Sequence, residues 1–249
     1  MTATLKLLDS EQIQAFDVEY IDENFFKVVK ATFNQIHHGL PFELLDIGGG
    51  NGIYADKVLA NYPKAQVTLV EPDDYLLSRN RQSYRKILVK STFQDYRGLA
   101  NEFDYIQLNW VLHHFITQGY QNTEQLQLKG LKKAYQLLKP GGHIVIFENL
   151  YDGGVLDDLP SRLIYWLTAN KSLTKLTKKM GANTAGVGVC FHSGKAWGKL
   201  LRKAGFRNIT VRHCYDFGNL SLAKKKLLTI KKQHVAFITA SKQLDYSDN

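Results

Sequence analysis

The nine residues Leu44-Leu45-Asp46-Ile47-Gly48-Gly49-Gly50-Asn51-Gly52 constrain this chain more than any other stretch. Phe42, Leu44, Leu45 and Ile47 make a short apolar strand with one acidic residue near its end. Four glycines within five residues stop that strand, and a helical pattern with Tyr54, Val58 and Leu59 follows. Glycine carries no Cβ, so the backbone there can turn sharply and a ligand can lie against it. The following helix opens with unpaired N–H groups and the positive end of its dipole beside the loop. A strand–loop–helix unit of this kind holds a nucleoside cofactor and implies a parallel α/β sheet built around it.

The rest of the chain has the bulk for such a sheet. Its 249 residues suit one α/β domain with elaborations, and 44% hydrophobic against 22% charged residues exclude a disordered chain. No run approaches the ~20 apolar residues of a membrane span. Met1 onward shows no basic-then-apolar leader, and Cys190 and Cys214 have no metal-binding spacing. Together these point to a cytoplasmic protein with reduced thiols. The net charge of +9 is unevenly spread. Residues 1–150 hold 15 Lys and Arg against 17 Asp and Glu, a net of −2, whereas residues 151–249 hold 17 against 6, a net of +11. Between Pro160 and His234 the only acidic side chain is Asp216, which suggests an acidic partner for the C-terminal part.

In chain order, residues 1–40 read as two helices. Asp9 and Gln12 have capping-box spacing ahead of Ile13, Phe16 and Tyr20, and Phe25, Val29, Phe33 and Ile36 form a second apolar stripe. The second helix is expected against the sheet edge; the first could serve as a lid with Tyr20 facing inward. Beyond the glycine loop, Gln66 to Glu71 is the second strand, and its terminal carboxylate stands where a parallel sheet meets its ligand. Asp74 is placed to cap a helix, Ile87-Leu88-Val89 is the third strand, and Phe103 to Asn109 the fourth. His113 and His114 point about 100° apart if helical, too far to chelate one ion well, so a structural role is expected of them. A helix opened by Thr123 stops at Lys139-Pro140-Gly141-Gly142, ahead of the fifth strand, His143 to Glu148.

The loop by itself fits two cofactors. Gly50 to Ala55 satisfies the dinucleotide pattern G-x-G-x-x-G/A, and Asp46 to Gly52 fits D-x-G-x-G-x-G. The later motifs separate them. Asp46 to Gly52, Glu71, Phe103-Asp104, Val111-Leu112-His113-His114 and Leu138 to Gly142 follow the order and spacing of class I S-adenosylmethionine (SAM) methyltransferases. The chain most resembles the small-molecule branch that includes the ubiquinone/menaquinone-type enzymes. Ala204-Gly205-Phe206 before a strand and the closing strand Val235 to Thr239 are similar to that family's last elements. The resemblance covers roughly residues 42–150 and 191–240. It implies a Rossmann-like, seven-stranded, mostly parallel sheet with an antiparallel last strand and helices on both faces. It divides the chain into N-terminal helices (1–40), a SAM-binding core (41–150), a substrate-side insertion (151–192) and the C-terminal part of the core (193–249). It also implies that Gly48, Gly50 and Gly52 face the amino-acid part of SAM while Asp46 anchors the loop. Glu71 would take the ribose, Pro72 one adenine face, and the Asn109 backbone the methionine moiety. Where many relatives carry an acid after the third strand, this chain has Ser91 and Thr92, and Phe93 could stack there. Gly49 replaces a small residue, which is expected to be harmless.

The expected activity is methyl transfer from SAM to a small acceptor by in-line displacement. A hydroxyl acceptor would need a base, for which His114 and His192 are the candidates. The insertion has an apolar side (Ile164, Trp166, Leu167, Leu173) and a basic one (Lys171, Lys175, Lys178, Lys179), and Gly181 to Val189 reads as a loop over the site. An aromatic or lipid-like, anionic acceptor, or an anionic membrane presenting one, fits this better than nucleic acid. No metal is expected. The alternative from another class is a non-catalytic protein of the same fold that binds an anionic partner through its basic half.

Overall fold

The computed structural model describes residues 17–37, 39–154, 156–179, 184, 186–218 and 220–244. Among them run α1 (Glu23–His37), β1 (Phe42–Ile47), α2 (Ile53–Asn61), β2 (Ala65–Glu71), α3 (Asp74–Ser78), β3 (Lys86–Lys90) and β4 (Phe103–Asn109). They continue with α4 (Tyr120–Leu137), β5 (Leu138–Gly153), α5 (Leu159–Ala169), α6 (Thr174–Lys179), α7 (Gly194–Ala204), β6 (Arg207–Asp216), α8 (Leu222–Leu227) and β7 (Ile230–Ser241). The strands form one sheet in the order β3-β2-β1-β4-β5-β7-β6. The first five are parallel, and β7 lies antiparallel between β5 and β6. The expected sheet is therefore present, with β7 as its one reversed strand.

Apolar side chains alternate onto two layers, because the inner strands are covered on both faces. One layer packs Leu45, Ile106, Ile144 and Ile238 against Leu131 of α4 and Trp197 of α7. The other packs Leu44, Tyr105, Val145 and Phe237 against Phe26 and Phe33 of α1 and Val58 of α2. Phe26, Val29 and Phe33 are at most 1% exposed, so α1 lies on the face of the central strands and not at the sheet edge. Its stripe meets β1 and β4 directly, with Phe33 stacked on Tyr105 at 4.1 Å.

The Phe103-Asp104 and Lys139-Pro140-Gly141-Gly142 motifs meet at the far end of the sheet from the glycine loop. Asp104 accepts the Glu43 N–H at 2.8 Å and pairs with Lys139 at 2.7 Å. β5 begins at Leu138 and not at His143, because the Pro-Gly-Gly turn is a register shift within the strand. Gly141 and Gly142 exchange backbone hydrogen bonds with Lys242 there. Two helix starts also differ from expectation. Asp73, not Asp74, caps α3, accepting the Leu76 N–H. α4 begins at Tyr120, and Thr123 instead bonds both backbone groups of Thr117.

Most of the expected first helix, including Asp9, Ile13 and Phe16, lies outside the described residues; residues 17–21 are not helical. Of the glycine-containing loop, residues 181–183 and 185 lie outside them as well. The described part is docked on the C-terminal end of α5, with Gly186 N–H donating to the Thr168 carbonyl and Val189 N–H to its hydroxyl.

Candidate active site

The C-terminal ends of β1, β2, β4 and β5 open on one cavity of about 930 Å³. Its floor is the glycine loop. Gly48 and Gly50 have φ of 64° and 54°, a region that costs any residue with a Cβ. At Gly48 a Cβ would also stand 2.6 Å from Val111. At Gly50 nothing lies within 4 Å of an added Cβ, so the backbone is bare toward the cavity, as a cofactor lying on it requires. Gly52 does not line the cavity. It precedes α2 with φ 77°, and a Cβ there would collide with the Asn80 amide, which itself donates to the Gly50 carbonyl at 2.8 Å. At Gly49 the space admits only glycine. A Cβ would come within 2.6 Å of Leu69 Cδ1 and 2.8 Å of Asp46 Oδ2.

Two acids face this floor. Glu71, at the end of β2, accepts the Gly50 N–H at 3.2 Å and the Asp73 N–H at 3.1 Å. Each of its oxygens keeps a lone pair for a further donor. Burial pushes its carboxyl up to about 7. Asp46 is 1% exposed, and burial, aided by the Glu71 charge, raises it to about 8, with Lys86 opposing. Asp46 Oδ2 has no hydrogen-bond partner among the described residues. An orphaned buried carboxylate oxygen is costly by ~1–3 kcal/mol.

The walls come from later strand ends. Pro72 lines the cavity beside Glu71, and Thr92 and Phe93 follow after β3. Thr92 donates its hydroxyl to Asp95 at 2.7 Å, and Phe93 is 4% exposed with its ring stacked on Phe115. Asn109 closes a buried chain in which Tyr54 donates to Gln107 and Gln107 to Asn109 at 2.6 Å. Trp110 then takes φ 54°, a strained region for a bulky residue. It is held there by stacking on Phe147 and by donation from its indole N–H to Asn149 at 2.9 Å. The other side is closed by residues 18–21, with Tyr20 5.7 Å from Trp110. Asp17 ties this segment to the floor by accepting from Asn51, Tyr75 and Arg79. Lys57 pairs with Glu19 and Glu23 and donates to the Ile21 carbonyl.

The histidines sort differently from expectation. His114 lines the cavity, and burial lowers its pKa well below the usual value. His113 lines it too, with Nδ1 2.7 and 2.9 Å from the two Glu148 oxygens and its backbone N–H on Oε2 at 3.2 Å. Burial lowers His113 to about 3 and pushes Glu148 up. Among the described residues His113 Nε2 has no protein partner. His192 is not among the cavity residues. It is fully buried, with Nδ1 2.8 Å from Asp158 and Nε2 2.8 Å from Gln127. Burial alone would lower its pKa, but hydrogen bonding and charge from Asp158 and Cys190 outweigh that and raise it to about 10. A protonated imidazole with both nitrogens engaged cannot accept a proton, so His192 binds the insertion to α4. No group of three His, Cys, Asp or Glu able to hold a metal occurs among the described residues.

Sequence reasoning missed Asn80, Trp110, His113 and the pair Tyr215 and Phe217, which reach the cavity from the far side of the sheet. For His113 the paired histidines were visible, but which one meets a carboxylate depended on β5.

The strand order with its reversed β7, a bare glycine loop and an acid ending β2 define a nucleoside-cofactor-binding α/β protein of the Rossmann-like class. Within it, the methyltransferase-domain family model matches residues 18–211, and the chain belongs to that family. It is 29% identical over 128 residues to ribosomal RNA small subunit methyltransferase C of Pseudomonas entomophila, covering 49% of this chain and 37% of that protein. It is 25% identical over 124 residues to the ubiquinone/menaquinone biosynthesis C-methyltransferase UbiE of Cereibacter sphaeroides, covering 50% and 46%. The chain thus spans less than half the length of these relatives. Among solved structures, phosphoethanolamine N-methyltransferase 2 of Haemonchus contortus with bound SAM superposes with a TM-score of 0.58 at 17% identity, covering 93% of this chain and 56% of that one. The [4+2]-cyclase SpnF superposes with 0.59 at 13%, covering 92% and 85%. At such identities these two establish the fold alone.

Proposed function

We propose that this chain transfers the methyl group of SAM to a small acceptor. The observation that carries it is the floor of the cavity: a bare Gly50 backbone with φ 54° whose N–H is held by Glu71 at the end of β2. Family membership and the SAM named with the Haemonchus structure support the choice of cofactor over NAD. Glu71 would accept from the ribose hydroxyls, and Gly48 and Gly50 would pass beneath the amino-acid part. Asp46 would anchor the loop, with Pro72, Thr92, Phe93 and Asn109 along the cofactor's flanks. Bound there, SAM supplies a methyl on a sulfonium, already an electrophile with a good leaving group. The protein's part is alignment and exclusion of water, which can supply roughly 7–11 kcal/mol. Residues 18–21, with Tyr20 over Trp110, act as the cover.

Where the acceptor is protic, His113 is the residue placed to take its proton. It combines a cavity position with a carboxylate on Nδ1. With the shared proton on Nδ1, Nε2 would be the nitrogen left to accept. Burial holds both groups neutral in the free protein, so this role requires Glu148 to be ionised as the proton arrives, leaving an imidazolium 2.7 Å from a carboxylate that offsets its charge.

Calorimetry with SAM and its demethylated product, followed by an acceptor screen with radiolabelled SAM, tests this. SAM is expected to bind and label a protic acceptor. The variant His113→Asn should keep SAM affinity and lose transfer by about 10²–10⁴-fold, the usual worth of a general base. Binding of NAD without SAM would overturn the cofactor assignment.

A further inference from the structure

We propose that the face built from the loop after β5, α5 and α8 docks on an anionic lipid bilayer. Four large apolar side chains stand out from it: Leu156 is 63% exposed, Trp166 60%, Leu222 85% and Leu227 72%. They belong to adjoining elements. Gly154 of the loop donates to the carbonyl of Thr229, just beyond α8, at 3.0 Å. Beneath them Ile164 of α5 shares a buried cluster with Leu228 and Ile230, and Leu163 and Leu220 pack on its rim. Ordinary surfaces carry such residues singly; a group of them on adjoining elements marks an interaction site.

The charge around them has one sign. Arg162, Lys171 and Lys175 are exposed on the α5 side, and Lys226 and Lys231 on the α8 side. The acids of this region are turned inward. Asp152 bonds His234 at 3.1 Å, Asp157 accepts from Ser193, and Asp158 holds His192 and the Tyr120 hydroxyl. The one other acid between Pro160 and His234, Asp216, sits on β6 beside His213 and Lys232. Leucines and a tryptophan projecting from within a basic field suit the boundary of an anionic membrane. The apolar groups enter the acyl region there while the lysines stay among the headgroups. A protein partner or an RNA would not call for so many isolated, protruding aliphatic groups. The face also borders the cavity, because Phe217 both lines it and packs on the Ile164 cluster. Resting on the methyl-transfer reading, this would let a lipid-like acceptor reach the cavity from the bilayer.

The test uses the full chain without cofactor, so it stands apart from methyl transfer. Vesicles of phosphatidylcholine, and of phosphatidylcholine mixed with phosphatidylglycerol, are sedimented with the protein at low and moderate salt. The expected result is binding to the mixed vesicles only, weakened by salt, with a blue shift of tryptophan emission that Trp166→Phe removes. Changing Lys171, Lys175 and Lys226 to Gln should weaken binding by about a hundredfold. The double variant Leu222→Glu/Leu227→Glu should abolish it while its thermal midpoint stays that of the wild type. Binding to neither vesicle at low salt, equal binding to both, or capture of a generic RNA without vesicle binding would each overturn the proposal.

Discussion

Gly49 and Glu71 show how single residues carry the site. The sequence admits any small side chain at position 49, but Leu69 and Asp46 fill the space behind this one. Gly49→Ala should destabilise the protein by ~1–3 kcal/mol, the usual cost of overpacking. Combined with Leu69→Ala it should cost less than the sum of the two, a coupling that denaturant titration of the double-mutant cycle measures. Glu71→Ala removes acceptors from the ribose and should weaken SAM binding by ~1–3 kcal/mol by calorimetry. The pH dependence has a definite sign. Glu71, raised to about 7, is protonated in the free protein below that value, and the ribose hydroxyls need its carboxylate as acceptor. Affinity should therefore fall as pH drops through that value, by up to about tenfold per unit for the proton taken up, and Glu71→Gln should flatten the curve.

At the scale of elements, the insertion is tied to the core by the network of Asp158, His192, Gln127 and Tyr120. His192 holds its proton up to about 10 in the folded chain, against about 6.5 unfolded. Its contribution to stability is thus complete below about pH 6.5 and is lost as pH rises toward 10. The thermal midpoint should fall over that interval. In His192→Asn the midpoint should be lower at neutral pH and change less with alkali, as calorimetric scans would show. The segment at residues 17–21 is a different kind of element, held by side chains of Asn51, Lys57, Tyr75 and Arg79. Asp17→Asn should leave the fold intact and raise the rate at which SAM dissociates, seen by stopped-flow fluorescence.

For the whole molecule, β7 completes the sheet, since it pairs with both β5 and β6. A chain ending at Phe217 would expose the apolar edge of β5 and orphan β6. It should show no cooperative thermal transition by circular dichroism. The cavity depends on the same closure, because Tyr215 and Phe217 reach it only when β6 is held at the far end of the sheet.

The sequence by itself determined the strands, the glycine loop and the acid at the end of β2. Apolar alternation, the left-handed turns of Gly48 and Gly50 and a strand-end carboxylate are local properties, written in a few neighbouring residues. Which carboxylate each histidine meets, and whether it reaches the cavity, came from the tertiary structure. His113 finds Glu148 35 residues away, and His192 finds Asp158 34 residues away, so their opposite protonation follows from strand register and burial that no local pattern contains. The same holds for Gly49, crowded by a side chain of the neighbouring strand, and for Trp110, whose positive φ is held by Phe147 and Asn149. The charge split was legible as composition, but the basic, leucine-studded face exists because Asp152, Asp157 and Asp158 turn inward to partners supplied by distant elements.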